Sequence, residues 1–192
     1  VDKYYEAHIP LGTALKQEPE NIDVLYYLGR TCAKTSWKKQ GVEYLEKKKR
    51  AWLLSSWRIV IDRYPVLGER IKIGTWATSS KGIYGYRDFV LMDQEGNHLV
   101  KAESVWFFCD TEKMIPVRVM PEDVEAYGEG EALDLGKAPR KIAVPENYEE
   151  ETPVTIAVHH LDTNHHVNNA QYVDIAREAV TCTKKVKEIR VD

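Results

Sequence analysis

AWLLSSWRIVIDRYP, Ala51 to Pro65, alternates along its whole length. Successive side chains of a strand point to opposite faces. Trp52, Leu54, Ser56, Arg58 and Val60 therefore fall on one side, and Leu53, Ser55, Trp57, Ile59 and Ile61 on the other. The second set is the more apolar, as in a strand with one face turned to a core. Pro65 and Gly68 supply a turn. Comparable runs follow in ERIKIGTWAT (Glu69 to Thr78), GYRDFVLMD (Gly85 to Asp93) and HLVKAESVWFFCD (His98 to Asp110). DQEG, Asp93 to Gly96, has the composition of a hairpin turn between the last two.

Upstream, the spacing of Ile22, Leu25, Tyr26, Leu28, Gly29 and Cys32 predicts a helix over Asn21 to Lys39. Asn21 suits its cap. Gly41 stops it before a short helical piece, Val42 to Lys49. A helix followed by several antiparallel strands is an α+β pattern. Downstream, Met120 to Pro145 is rich in Pro, Gly and acidic residues and reads as a surface linker. VTIAV within Thr152 to His160 then reads as a strand, Asn169 to Val180 as a helix, and Lys184 to Asp192 as the start of a strand. In that helix Tyr172, Ile175, Ala176, Ala179 and Val180 form an apolar face. Three segments result: a first module over 1–119, a linker over 120–147, and the beginning of a second module over 148–192.

The 192 residues are 43% hydrophobic and 30% charged, with five Trp and eleven Tyr, which supports a substantial core. A formal net charge of −3 gives no electrostatic reason to bind nucleic acid. Cys32, Cys109 and Cys182 are few, odd in number and far apart, so neither a disulfide framework nor a thiolate zinc site is expected, and a reducing compartment fits. No apolar run approaches the ~18–20 residues that span a bilayer. VDKYYEAHIPLG lacks the pattern of a secretion signal. The expectation is a cytoplasmic protein without membrane insertion.

His159-His160-Leu161-Asp162-Thr163-Asn164-His165-His166-Val167-Asn168-Asn169 gathers a carboxylate, imidazoles and amides into one short stretch. Histidine titrates near neutrality and can act as a general base. An aspartate can activate water, or attack directly and form a transient anhydride. The amides at the start of the following helix, with its positive end, can stabilise a developing oxyanion.

Asp162, Asn164, His166, Val167, Asn168, Asn169 and Tyr172 stand in the order DxNxHVNNxxY, which resembles the signature of plant and bacterial acyl-ACP thioesterases. RAWLLSSWRIVIDRYPVLGERIKIGTW (Arg50 to Trp76), YGYRDFVLMD and AESVWFFCD resemble the same family, and the likeness runs from about Gly41 to Val180. It implies a tandem, or double, hot-dog: an antiparallel sheet wrapped around a central helix, with the second unit incomplete in this chain. The first unit would form the acyl pocket and the second would carry the catalytic loop. By the same carry-over Asn164 holds the thioester carbonyl, His166 orients or activates the attacking group, and Asp162 is base or nucleophile. Val167, Asn168 and Asn169 support the loop and the oxyanion. The implied reaction hydrolyses fatty acyl-ACP to free fatty acid and acyl carrier protein, with no metal or organic cofactor. The family's further acidic or cysteine position lies past a strand like Lys184 to Asp192, and the chain ends before it.

Other readings stay open. An acyl-CoA thioesterase of the same fold would use the same loop, and a non-catalytic acyl- or carrier-binding module would not need it. Zinc on the His cluster lacks a second cluster and helical i, i+4 spacing. Lys47 to Arg50 and Lys184 to Lys187 are solvated ends of elements, or docking points for an acidic carrier. A homodimer is the alternative to the tandem arrangement.

Overall fold

The computed structural model describes residues 4–8, 43–139, 141–144, 146–147, 151, 153–161, 165–179 and 185–192. The expected helix over Asn21 to Lys39 and the residues Cys32 and Cys182 lie outside them. Strands β1 (Tyr4–His8), β2 (Arg50–Ile61), β3 (Arg70–Lys81), β4 (Tyr84–Met92), β5 (His98–Asp110), β6 (Ile115–Pro116) and β7 (Glu188–Val191) form one antiparallel sheet. Its order is β1-β3-β4-β5-β2-β7, with β6 paired to β5. Among the described residues the helices are α1 (Glu43–Lys47), α2 (Pro121–Val124) and α3 (Asn169–Ala179), with 3-10 turns at Glu125–Tyr127 and Val158–His160.

The alternating runs of the sequence became strands, and the hairpin turn is as expected. Asp93 binds both the amide and the side chain of Asn97 at 2.8 Å, and Gly96 takes a φ of 90° that favours glycine. Ile59, Ile61, Ile71, Ile73, Phe89 and Leu91 meet on one face as a fully buried core, with Trp57 stacked on Phe89 at 4.8 Å. This is the apolar face expected for β2.

The other half of β2 corrects the simple alternation. The register shifts between Leu54 and Ser56, leaving Ser55 out of the ladder. A bulge of this kind switches the face of everything before it. Trp52 pairs with Phe108 and Leu54 with Trp106, so both share the face of Trp57 rather than that of Arg58. Their contacts agree: the Trp52 and Phe108 rings lie 4.7 Å apart. Trp52 also lies so close over Gly85 that a Cβ there would sit 2.8 Å from the indole ring.

The linker is a strap fastened to the opposite face. Gly130 N–H donates to Ala77 O at 2.8 Å at the start of the crossing. Trp76 Nε1 then donates to Glu131 O at 2.8 Å, and the Leu133 amide donates to Asp88 Oδ2 at 2.7 Å. Leu133 packs on Trp76, Val90 and Met92. Further along, Arg58 donates to Gly136 O at 2.8 Å and the Ile142 amide to Asp192 Oδ2 at 2.7 Å.

The VTIAV strand is not formed. Residues 153–157 are irregular and run into the 3-10 turn at Val158. Strand alternation stabilises nothing without a neighbouring ladder, and no described strand pairs with this segment. Val154, Ile156 and Val158 stand 48%, 45% and 85% exposed. The helix expected over Asn169 to Val180 does form as α3, yet none of its described residues is buried, and Tyr172 is 53% exposed.

Candidate active site

The described ends of the His-rich stretch meet at a neck. Leu161 and Val167 make an isolated antiparallel bridge, and Asn168 N–H donates to His160 O at 3.0 Å beside it. Upstream, the 3-10 turn is closed by His160 N–H to Ala157 O at 3.0 Å and Leu161 N–H to Val158 O at 3.1 Å. The Ala157 amide donates to His160 Nδ1 at 3.0 Å, so that nitrogen is an acceptor and the His160 proton belongs on Nε2. His159 packs edge-on against His160, with ring centroids 4.1 Å apart. These two histidines brace the neck.

Downstream, Asn168 starts α3. Its side-chain oxygen accepts from the Ala170 amide at 2.9 Å, an N-cap bond. Its carbonyl accepts from Gln171 at 2.8 Å and Tyr172 at 3.4 Å. The amide side chain of Asn168 is thus a capping group. The helix presents its positive end to the loop, where anions are favoured. Asn169 is exposed on the first turn and Val167 is half-buried in the bridge. His165 adopts a φ of 59°, a left-handed conformation that turns the chain between the bridge partners. His165 and His166 are both exposed. Asp162 and Asn164 lie outside the described residues, so the structure brings together His166, Val167, Asn168 and Asn169 at the head of α3 and leaves the other two to proposal.

Past α3, the described chain resumes at Lys185 and joins the sheet at β7. Trp57, Arg58, Ile59 and Val60 pair with Val191, Arg190, Ile189 and Glu188, and the Ile61 amide donates to Lys187 O at 2.9 Å. Tyr64 Oη donates to Val186 O at 2.9 Å. Burial raises the Tyr64 phenol above its ordinary value, against the opposing pull of Arg177 and Lys185.

Two features escaped the sequence reading. Asp88 is buried in the strap contact, and burial raises its carboxyl above the ordinary value while the Leu133 amide and then Glu103 act in opposite directions. Its signal was a lone carboxylate inside DFVLM, a run otherwise apolar. Beneath the strap, Arg58, Tyr86, Asp88, Glu103, Leu133 and Pro139 line a half-open pocket of about 400 Å³ with mixed polar and apolar walls. It lies on the face opposite the apolar core.

Solved structures share this architecture. An acyl-ACP thioesterase from Bacteroides thetaiotaomicron matches with a TM-score of 0.80 at 22% identity, over 97% of this chain and 78% of that one. The 12:0-ACP thioesterase from Umbellularia californica matches with a TM-score of 0.75 at 15% identity, over 97% and 79%. The fold is therefore of the hot-dog-like thioesterase class. Residues 21–127, more than half of the chain, match the acyl-ACP thioesterase N-terminal domain. The chain belongs to the acyl-ACP thioesterase family. Among curated proteins, a chloroplastic palmitoyl-acyl carrier protein thioesterase from Arabidopsis thaliana is 29% identical over 135 residues, 66% of this chain and 32% of that protein. The chain thus spans about a third of the length of the curated relatives it matches. No described helix is long and apolar enough to cross a membrane.

Proposed function

We propose that the chain hydrolyses the thioester of fatty acyl-ACP, releasing free fatty acid and acyl carrier protein. One observation carries the reading: His166, Val167, Asn168 and Asn169, the described end of the DxNxHVNN block, stand at the capped head of a helix in a member of the acyl-ACP thioesterase family. Asp162 activates water or attacks directly, Asn164 holds the carbonyl oxygen, and His166 orients or activates the attacking group. In the water route, the water oxygen bonds to the carbonyl carbon, its proton passes to the base, and the tetrahedral oxyanion collapses with loss of the thiolate. The thiolate leaves protonated as the carrier's thiol. Val167 and Asn168 hold the loop on the helix, whose first-turn amides, that of Asn169 included, face the developing charge.

The apolar face of the sheet is the wall along which the acyl chain would lie, since a long apolar ligand needs a long apolar wall. We read residues 148–192 as the beginning of a second hot-dog unit joined to the first, 1–119, through the strap of 120–147. The sparse, separated cysteines favour a reducing, cytoplasmic setting, although the named plant relatives are chloroplastic.

The test compares turnover of palmitoyl-ACP and palmitoyl-CoA by the purified chain and by its His166→Ala variant. Faster release from the carrier, lost in the variant, supports the proposal. Preference for the CoA ester would move the substrate class, and carrier binding without release in either form would leave a binding module.

A further inference from the structure

The apolar face of the sheet, the wall proposed above for an acyl chain, changes character along its strands. Residues directly across a ladder share a face. Ile61, Val100, Leu91 and Ile73 make one row across β2, β5, β4 and β3, and Ile59, Ala102, Phe89 and Thr75 make the next. Apart from Thr75 these residues are apolar, and all of them are buried. The third row is Trp57, Ser104, Arg87 and Ala77, and it brings polar groups into the wall.

Two of its polar side chains are bonded within the fold. Ser104 Oγ donates to Arg87 O at 2.9 Å and accepts from Trp106 Nε1 at 2.7 Å. Arg87 donates to Thr75 Oγ1 at 3.1 Å. Trp57 is the exception, because its Nε1 is buried and donates to nothing. On its far side the ladder partner is Val191 of β7, whose side chain has no acceptor. The indole is also held in place. It stacks on Phe89 with ring centroids 4.8 Å apart and an interplanar angle of 21°, and it packs against the buried isoleucines. Turning it outward to reach water would break that stack.

A buried donor without a partner costs free energy for as long as only hydrocarbon lies against it. An acyl chain that carries an oxygen at the same level supplies the missing acceptor. A site able to hydrogen-bond a substrate oxygen discriminates against the analogue lacking it, since its own polar group is then left unpaired. A wholly apolar wall does not make that distinction.

We infer that Trp57 is a specificity-determining residue whose indole N–H selects fatty acyl chains bearing an oxygen acceptor, a hydroxyl or keto group, along their length. The inference rests on the thioester hydrolysis proposed above and names its substrate class. The test compares kcat/KM for palmitoyl-ACP with that for hydroxypalmitoyl-ACP isomers carrying the hydroxyl near the thioester, at mid-chain or near the tip. It uses the wild-type chain and Trp57→Phe, which keeps a ring on Phe89 and drops the N–H, and thermal unfolding checks the fold. The wild-type chain should favour one isomer over palmitoyl-ACP, and Trp57→Phe should cut that ratio about tenfold, the size expected of one hydrogen bond to a buried donor. A merely structural role would lower both rates together and leave the ratio unchanged, which overturns the inference. Binding of palmitic and hydroxypalmitic acids is measured in parallel. Tighter binding of one hydroxy acid, lost in Trp57→Phe, with no ester hydrolysed would uphold the selecting N–H and remove the proposed reaction. A wild-type chain that favours no isomer, in turnover or in binding, overturns the inference even if the variant does not fold.

Discussion

His166 stands exposed between the bridge partners Leu161 and Val167, just before the capped start of α3. Replacement by Ala should cut acyl-ACP turnover by about 10²–10⁴-fold, the usual range for a lost general acid or base, while circular dichroism and thermal unfolding stay near wild type. Near-normal turnover would place the chemistry elsewhere. Trp57 is the opposite case. Its Nε1 is buried without a hydrogen-bond partner, alone in this among the described residues. An unpaired buried donor costs ~1–3 kcal/mol. Trp57→Phe removes that penalty together with some packing, so urea unfolding should show a loss below ~1.5 kcal/mol, against the ~3–5 kcal/mol expected of Trp57→Ala. Similar large losses in both variants would mean that indole volume, not the orphan donor, governs the site. Gly85→Ala should cost ~1–3 kcal/mol, because its methyl needs the space that the Trp52 ring occupies 2.8 Å away. The motif residues were legible one by one, since their chemistry is written in their side chains. Asn168 as a cap was not, because an amide in a signature looks the same whether it faces substrate or its own helix.

At the scale of elements, the strap offers the sharpest test. Burial lifts the Asp88 carboxyl above its ordinary 3.8, so the folded state holds the proton more tightly than the unfolded state. Stability from this group is therefore greatest below the unfolded value and declines as pH rises through the folded one. Asp88→Asn keeps an acceptor for the Leu133 amide and drops the charge. The variant should be more stable than wild type near pH 7, with the difference shrinking as pH falls below the ordinary carboxylate value. Urea titrations at several pH values measure this, and a variant less stable at every pH would show the carboxylate to be a net gain. The strands and the hairpin turn were readable because period-2 alternation and turn chemistry are local. The bulge at Ser55 was not, since one residue left out of a ladder changes no composition while it moves Trp52 and Leu54 to the other face. VTIAV misled for a related reason: alternation states which face a strand would show, not whether another strand lies beside it.

Across the whole molecule, the two borders of the sheet come from opposite ends of the described chain, β1 on one side and β7 on the other. The interior joins β3, β4 and β5 by short turns, and β2 closes onto β5 across the intervening strands. β7 must cross far more chain before it meets β2, and it does so along four residue pairs. Long closures carry the larger entropic cost and form late, while short edge pairings open most readily. Amides of β7 should exchange with deuterium faster than those of β4 and β5, and uniform protection across the sheet would refute this order. Along the chain the loop and α3 are next followed by β7, so this end of the described chain docks onto the sheet last in folding and is released first on warming. Heat or mild denaturant should then abolish thioester release while the aromatic core still gives its native signal, an inactivation that precedes unfolding and reverses on cooling.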